Sequence, residues 1–152
     1  MYQWTLKAFN DLTLSELYAL LRLRSEVFVV EQHCVFQDMD GADAGCHHLL
    51  GWTTGPDGEP LLGAYVRIVP PGLKFPEPSI GRVATSPLVR GTGAGRALMG
   101  RAVSYLYDLF GRQPIRIGAQ QYLLDFYGSF GFVQTGEMYL EDDIPHVEMV
   151  KN

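Results

Sequence analysis

Two cysteines, Cys34 and Cys46, are the whole thiol content of this 152-residue chain. That is too few for a disulfide-stapled scaffold, and two thiols alone do not complete a four-ligand zinc site. Basic residues are also short, 12 Lys+Arg against 17 Asp+Glu for a net charge of -5. This balance excludes broad electrostatic binding to nucleic acid, which requires neutralised phosphates. No apolar run approaches the roughly 20 residues of a membrane helix. The opening Met1-Tyr2-Gln3-Trp4 lacks the charged-then-apolar pattern of a signal peptide. The expected setting is cytoplasmic, with reduced thiols and neither nucleic acid nor membrane as partner. Long linkers and repeats are missing too. The richest Pro/Gly stretch, Pro70 to Pro78, is short and carries Leu73 and Phe75, so it reads as a loop inside a single domain, 1–152. What remains is 47% hydrophobic, at a length suited to one real core.

Periodicity places the elements. Tyr2 to Phe9 predicts a first strand. Thr13 and Glu16 have capping-box spacing. Behind them Leu14, Leu17, Tyr18, Leu21 and Phe28 fall on one helical face, giving a helix to about Val27. Glu31 to Gly45 reads as irregular. Strands follow at His48–Thr54 and Pro60–Val69 around a Pro56-Asp57-Gly58 turn, then at Ile80–Thr85. A helix opens at the glycine cluster Gly91–Gly95 and closes at Gly111. Ile115–Ala119 is a strand, Tyr122–Phe130 a short helix, and Phe132–Tyr139 and Val147–Val150 are the last strands. The order mixes hairpins with one strand–helix–strand crossover, which fits an α/β sheet with helices on both faces.

The segment richest in chemistry is Ile80-Gly81-Arg82-Val83-Ala84-Thr85 leading into Arg90-Gly91-Thr92-Gly93-Ala94-Gly95-Arg96. A strand enters a glycine turn that opens a helix. The first N–H groups of a helix lack intrahelical acceptors, and glycine lets a diphosphate approach them. A P-loop is excluded because the chain holds no Gly-Lys pair. A dinucleotide fingerprint fails at its third glycine, where Arg96 stands. Arg90-x-x-Gly93-x-Gly95 instead matches Arg/Gln-x-x-Gly-x-Gly/Ala, which resembles the coenzyme A loop of the GCN5-related N-acetyltransferase (GNAT) superfamily. Downstream, Tyr127-Gly128-Ser129-Phe130-Gly131-Phe132 resembles the second half of that site. Two more segments, Arg24 to Gly41 and Gly136 to His146, resemble the ElaA-type branch, so the similarity spans nearly the whole chain. Departures are Val35-Phe36 for Pro-Tyr, Asp143 for Gly, Ala94 for a larger aliphatic residue, and Ala119-Gln120 where many members carry asparagine.

The resemblance implies a mixed, mostly antiparallel sheet with a splayed strand pair, and acetyl-CoA (coenzyme A) as co-substrate for direct transfer to an amine. It implies cofactor contacts at Val83, Ala84 and Thr85, at the loop Arg90, Gly91, Thr92, Gly93, Ala94, Gly95 and Arg96, and at Gln120, Phe126 and Tyr127. A backbone N–H, that of Val83, would face the thioester oxygen, and Tyr127 would protonate the leaving thiolate. An amine near pKa ~10.4 must lose a proton before attack; Glu31, His47 and His146 are the candidate bases. Asp38, Asp40, Asp43, Cys46, His47 and His48 match no calcium-loop register, so a solvated acidic loop without metal is expected. No Asp or Glu lies between Glu77 and Asp108, while acids gather at Glu31–Asp43 and Glu137–Glu148; this predicts a small-molecule or peptide amine that is cationic. A homodimer through the C-terminal strand edge is a further expectation. Competing readings are a non-catalytic acyl-CoA-binding module and nucleotide binding at the same loop.

Overall fold

The computed structural model describes residues 1–152. Four strands, β1 (Gln3–Ala8), β2 (His47–Thr54), β3 (Pro60–Val69) and β4 (Ser79–Thr85), form one antiparallel sheet in the order β1-β2-β3-β4. Three more, β5 (Ile115–Gln120), β6 (Phe132–Glu141) and β7 (Ile144–Lys151), form a second in the order β5-β7-β6. The Arg116 N–H donates to the Pro78 carbonyl at 3.1 Å, linking the start of β5 to the residue before β4. Beyond that link no ladder joins β4 to β5, so the expected splayed pair is present.

Alternation along β2 and β3 builds a core on each face. Leu49, Ala64, Val66 and Ile68 pack under Leu98, Met99, Ala102 and Leu106 of α2 (Ala94–Phe110). Leu50, Leu62 and Tyr65 pack under Leu20 and Leu23 of α1 (Leu14–Arg24), with Val27 beyond it. Burying each such Leu or Val contributes about 1.5–3 kcal/mol. Helices thus cover both faces, as the element order implied.

Helix α1 starts at the expected capping box: Thr13 accepts from the Glu16 N–H and Glu16 accepts from the Thr13 N–H. The face inferred for α1 is corrected, because Leu14 and Tyr18 are 87% and 74% exposed and the buried stripe is Leu20, Leu23 and Arg24. The helix also does not stop at Val27. It widens into a π-helical turn, Ser25–Glu31, and this turn carries Phe28 and Glu31 to the central cleft. The helix expected over Tyr122–Phe130 is shorter, a 3₁₀ turn at Gln121–Leu123 followed by α3 (Leu124–Gly128).

Candidate active site

The gap between β4 and β5 opens into a cleft of about 1030 Å³. It is continuous from the start of α2, past Tyr127, to the β6–β7 hairpin and the Pro70–Pro78 loop. Val83, Thr85, Arg90, Gly95, Gln120, Phe126, Tyr127, Glu31 and His146 all line it. Ala84 does not; strand alternation sends its side chain into the α1 core. Arg96 is turned away, stacked over Phe130 at 5.3 Å and bonded to Ser129 Oγ at 3.1 Å.

At the α2 end, Gly91 and Gly93 have φ of 80° and 85°, which disfavours any side chain there. A Cβ on either would meet nothing within 4 Å, so the approach to the helix start is open. Gly95 faces the Phe126 ring, 3.8 Å from its would-be Cβ. Ala94 is buried at the first turn, and Thr92 Oγ1 donates to the Val89 carbonyl. Free N–H groups, an open approach and the Arg90 guanidinium make a cradle that fits a diphosphate.

Arg90 forks onto Glu31, with both nitrogens 2.6 Å from the carboxylate oxygens, and also donates to the Thr85 carbonyl at 3.1 Å. The guanidinium holds the Glu31 carboxyl below its usual range, which weakens Glu31 as a proton acceptor. One residue on, Gln32 exchanges amide hydrogen bonds with Gln120 at 3.3 and 3.4 Å. The Cys34 thiol donates to the Asp142 carbonyl at 3.5 Å. Residues 31–34 thereby tie the π turn to α2's loop, to β5 and to the β6–β7 hairpin.

Midway along the cleft, β4 bulges. Tyr65 pairs with Ala84 and Arg67 with Gly81, leaving Arg82 and Val83 together opposite Val66. Arg82 sits at φ 52°. Such a bulge removes one residue from the ladder, at the point expected for the thioester. Tyr127, 6% exposed, packs edge-on against Phe126 and Phe132. Burial pushes its phenol well above its ordinary pKa, so it remains protonated.

His146 and His47 separate clearly. His146 is 7% exposed and its Nδ1–H donates to the Ile144 carbonyl at 2.7 Å. Nε2 stands 3.4 Å from Glu141 Oε2. His47 lies edge-on to Phe110 of α2 and is not part of the cleft wall. Its neighbour His48 points to the opposite face, between the Tyr65 hydroxyl at 2.7 Å and the Asp43 carbonyl at 2.9 Å.

The solvated acidic loop is corrected. Asp38, Asp40 and Asp43 alternate with Arg24, Arg67 and Arg82 in a closed ring of ion pairs. Arg24 reaches Asp38 at 2.8 Å and Asp43 at 2.7 Å. Arg67 reaches Asp43 at 3.0 Å and Asp40 at 2.7 Å. Arg82 reaches Asp38 at 2.8 Å and Asp40 at 3.6 Å. Arg24 is fully buried, and a buried guanidinium requires such partners. An arginine inside the apolar stripe of α1, with a run of aspartates shortly after it, was the signal in the sequence. The ring also claims Arg82 of β4, which lines the cleft.

A sheet split between its fourth and fifth strands, a glycine-cradled helix start and a bulged strand beside a buried tyrosine define an acyl-CoA-dependent N-acyltransferase fold. The chain belongs to the acetyltransferase (GNAT) family, in its ElaA branch. The Acetyltransferase (GNAT) domain family matches residues 72–152. Protein ElaA of Escherichia coli is 40% identical over 153 residues, covering 99% of this chain and 97% of ElaA. A UPF0039 protein of Synechocystis is 39% identical over 147 residues, covering 97% and 93%. Among solved structures, an acyl-CoA N-acyltransferase from Pseudomonas aeruginosa superposes with a TM-score of 0.92 at 46% identity, and E. coli ElaA with 0.90 at 40%, each over 100% of both chains.

Proposed function

We propose that the chain, acting as one unit over residues 1–152, transfers an acetyl group from acetyl-CoA to an amine in the cytoplasm. One observation carries this reading: a single cleft runs from the glycine cradle, along the bulge of β4, to Tyr127 and the acidic hairpin. When bound, acetyl-CoA supplies an activated thioester. The loop Gly91–Gly95 holds its diphosphate on the N–H groups of α2, aided by Arg90, while Arg96, held on Phe130 and Ser129, stands aside. Val83 and Thr85 on β4 and Gln120 on β5 line the cofactor arm, Ala84 contributing backbone only, and Phe126 packs beside it. The Val83 N–H at the bulge donates to the thioester oxygen.

His146 takes the proton of the incoming ammonium on Nε2, since Nδ1–H is committed to a carbonyl. The amine attacks the carbonyl carbon, the carbon–sulfur bond breaks, Tyr127 gives its proton to the departing thiolate, and the second proton shed by the new amide nitrogen restores the phenol through solvent. Glu31 positions Arg90 instead of serving as base. A cationic acceptor is drawn by Glu141, Asp142 and neighbouring acids of the hairpin; the ring aspartates are already neutralised and add nothing. Strand β6 is an unpaired sheet edge with Val133, Met138 and Leu140 exposed, and a second copy would cover it; light scattering of the purified chain reads this.

Release of free thiol from acetyl-CoA with a broad amine library tests the transfer. Thiol release with at least one amine class is the expected result. CoA binding with no turnover for any amine would leave an acyl-CoA-binding module.

A further inference from the structure

The ring of three arginines and three aspartates is balanced in charge, and Lys74 is added to it. Its Nζ lies 2.9 Å from Asp40 Oδ2, an oxygen that Arg67 already binds at 2.7 Å. The four cations Arg24, Arg67, Arg82 and Lys74 therefore face three carboxylates, leaving one positive charge over. Hydrogen-bond donors are in excess too. Arg67 is 3% exposed, and its Nε has no acceptor. That nitrogen sits beside Gly81 in the cleft wall, 3.7 Å from where a Cβ would stand.

Lys74 is the most exposed cation of the group. Arg24 and Arg67 are buried, and Arg82 is fixed by two bonds to Asp38. Lys74 is 40% exposed with one partner. It lines the cleft from the Pro70–Pro78 loop, which is pinned where the Gly72 N–H donates to the Phe75 carbonyl at 2.8 Å and Leu73 packs on Gly45. Its release leaves Asp40 satisfied by Arg67. The β6–β7 hairpin contributes Glu141 and Asp142 to the same cleft. The acceptor end is thus bipolar, basic at the Pro70–Pro78 loop and acidic at the hairpin.

We infer that the acceptor is an amine that also bears a carboxylate, and that Lys74 is the specificity residue that takes this carboxylate. The inference rests on the proposed amine transfer and narrows its substrate from any cationic amine to an amino acid or a peptide with a free C-terminus. Lys74 swings from Asp40 to the incoming carboxylate, while the ammonium faces Glu141, Asp142 and His146.

Matched amines test this. Amino acids with α-, β-, γ- and ε-amines are compared with their amides and with the corresponding alkylamines, and lysine peptides with their C-terminal amides. Thiol release is read with wild type, Lys74→Met and Lys74→Arg. A charge-assisted contact predicts a kcat/KM about tenfold or more higher for the carboxylate form. Lys74→Met removes that preference through KM, leaves alkylamine rates unchanged, and Lys74→Arg restores it. The peptide arm separates a free amino acid from a chain terminus. Binding is read in parallel as the thermal shift each amine gives in the presence of CoA. Equal rates for matched pairs, or a preference that survives Lys74→Met, overturn the inference while transfer stands. Carboxylate-dependent binding that is lost in Lys74→Met, without any turnover, supports the subsite and overturns the transfer. Absence of both carboxylate-dependent turnover and binding overturns it.

Discussion

Arg90 and Glu31, 59 residues apart in sequence, meet as a two-pronged ion pair at the mouth of the cleft. The pair places a carboxylate on the guanidinium that the proposed diphosphate site needs. Both side chains are substantially exposed, at 42% and 37%, so the pair is worth only about 0.2–1 kcal/mol. Glu31→Gln is expected to tighten CoA binding by up to roughly fivefold, since 1.4 kcal/mol is a factor of ten. The effect should shrink in high salt. Calorimetric titration with CoA measures it, and a kcat that collapses in this variant would instead make Glu31 the base.

Tyr127 supplies the sharpest test of mechanism. Its phenol is raised by burial, and no hydrogen bond offsets that, so it holds its proton across the neutral and alkaline range. Tyr127→Phe keeps the ring packing on Phe126 and Phe132. Turnover should fall roughly 10²-fold or more if the phenol is the acid, with CoA affinity unchanged. Steady-state thiol release and a CoA titration on the same protein check both halves. Unchanged turnover removes the assignment.

His146 is argued to act through Nε2 alone. His146→Gln keeps a side-chain polar group near Ile144 but removes the proton acceptor. A loss of about 10²-fold in kcat is expected, larger for amines that arrive protonated than for weakly basic ones such as anilines. Equal losses for both amine types would show that His146 only shapes the hairpin.

These expectations differ in how directly the sequence carried them. Strand β3 ends at the residues its pattern named, Pro60 and Val69, because a run that is apolar but for Arg67, flanked by turn residues, leaves little choice of boundary. The glycine loop was legible for the same local reason, since left-handed φ at Gly91 and Gly93 leaves few other residue types. Helix α1 was misread because its buried stripe includes Arg24, which no hydrophobic pattern scores as core. The π turn then shifts the register, so Phe28 no longer follows Leu21 at helical spacing. The ion ring joins residues from α1, the 38–43 segment, β3 and β4, and only tertiary folding brings them together. Lys74 was hidden in a loop read as mere connection.

The ring also sets an acid limit. Hydrogen bonds from Arg67, against the opposing effect of burial, hold the Asp40 carboxyl far below its usual range. Burial by itself would raise Asp43, but its bonds to Arg24 and Arg67 outweigh this and lower it. A depressed folded pKa gives stability that is complete above the unfolded value, near ~3.9, and is lost as pH falls through the folded value. Asp43→Asn leaves Arg24 and Arg67 each short of a carboxylate and is expected to cost about 3–5 kcal/mol at neutral pH. The difference between wild type and variant should hold from pH 7 to pH 5 and narrow below about pH 4. Urea unfolding across that range measures it, and a constant difference down to pH 2 would disprove the ring's role in acid stability.

The β6–β7 hairpin carries strain that one substitution relieves. Glu141 pairs with Ile144, so Asp142 and Asp143 form a two-residue turn, with φ of 50° and 62°. Positive φ at both positions is the type I′ geometry, in which the second residue is best glycine. Asp143 meets the geometry with a Cβ that left-handed backbone disfavours, and it sits beside the like charges of Glu141 and Asp142. Asp143→Gly therefore removes a steric cost and a repulsion, against the larger chain entropy that glycine brings to the unfolded state. The steric gain prevails at an αL position, and a net stabilisation of about 0.5–1 kcal/mol is expected, or roughly 1–4 °C in Tm. Asp143→Ala serves as the control: it removes the charge but keeps the Cβ. If alanine stabilises as much as glycine, repulsion and not backbone geometry is the source of the strain.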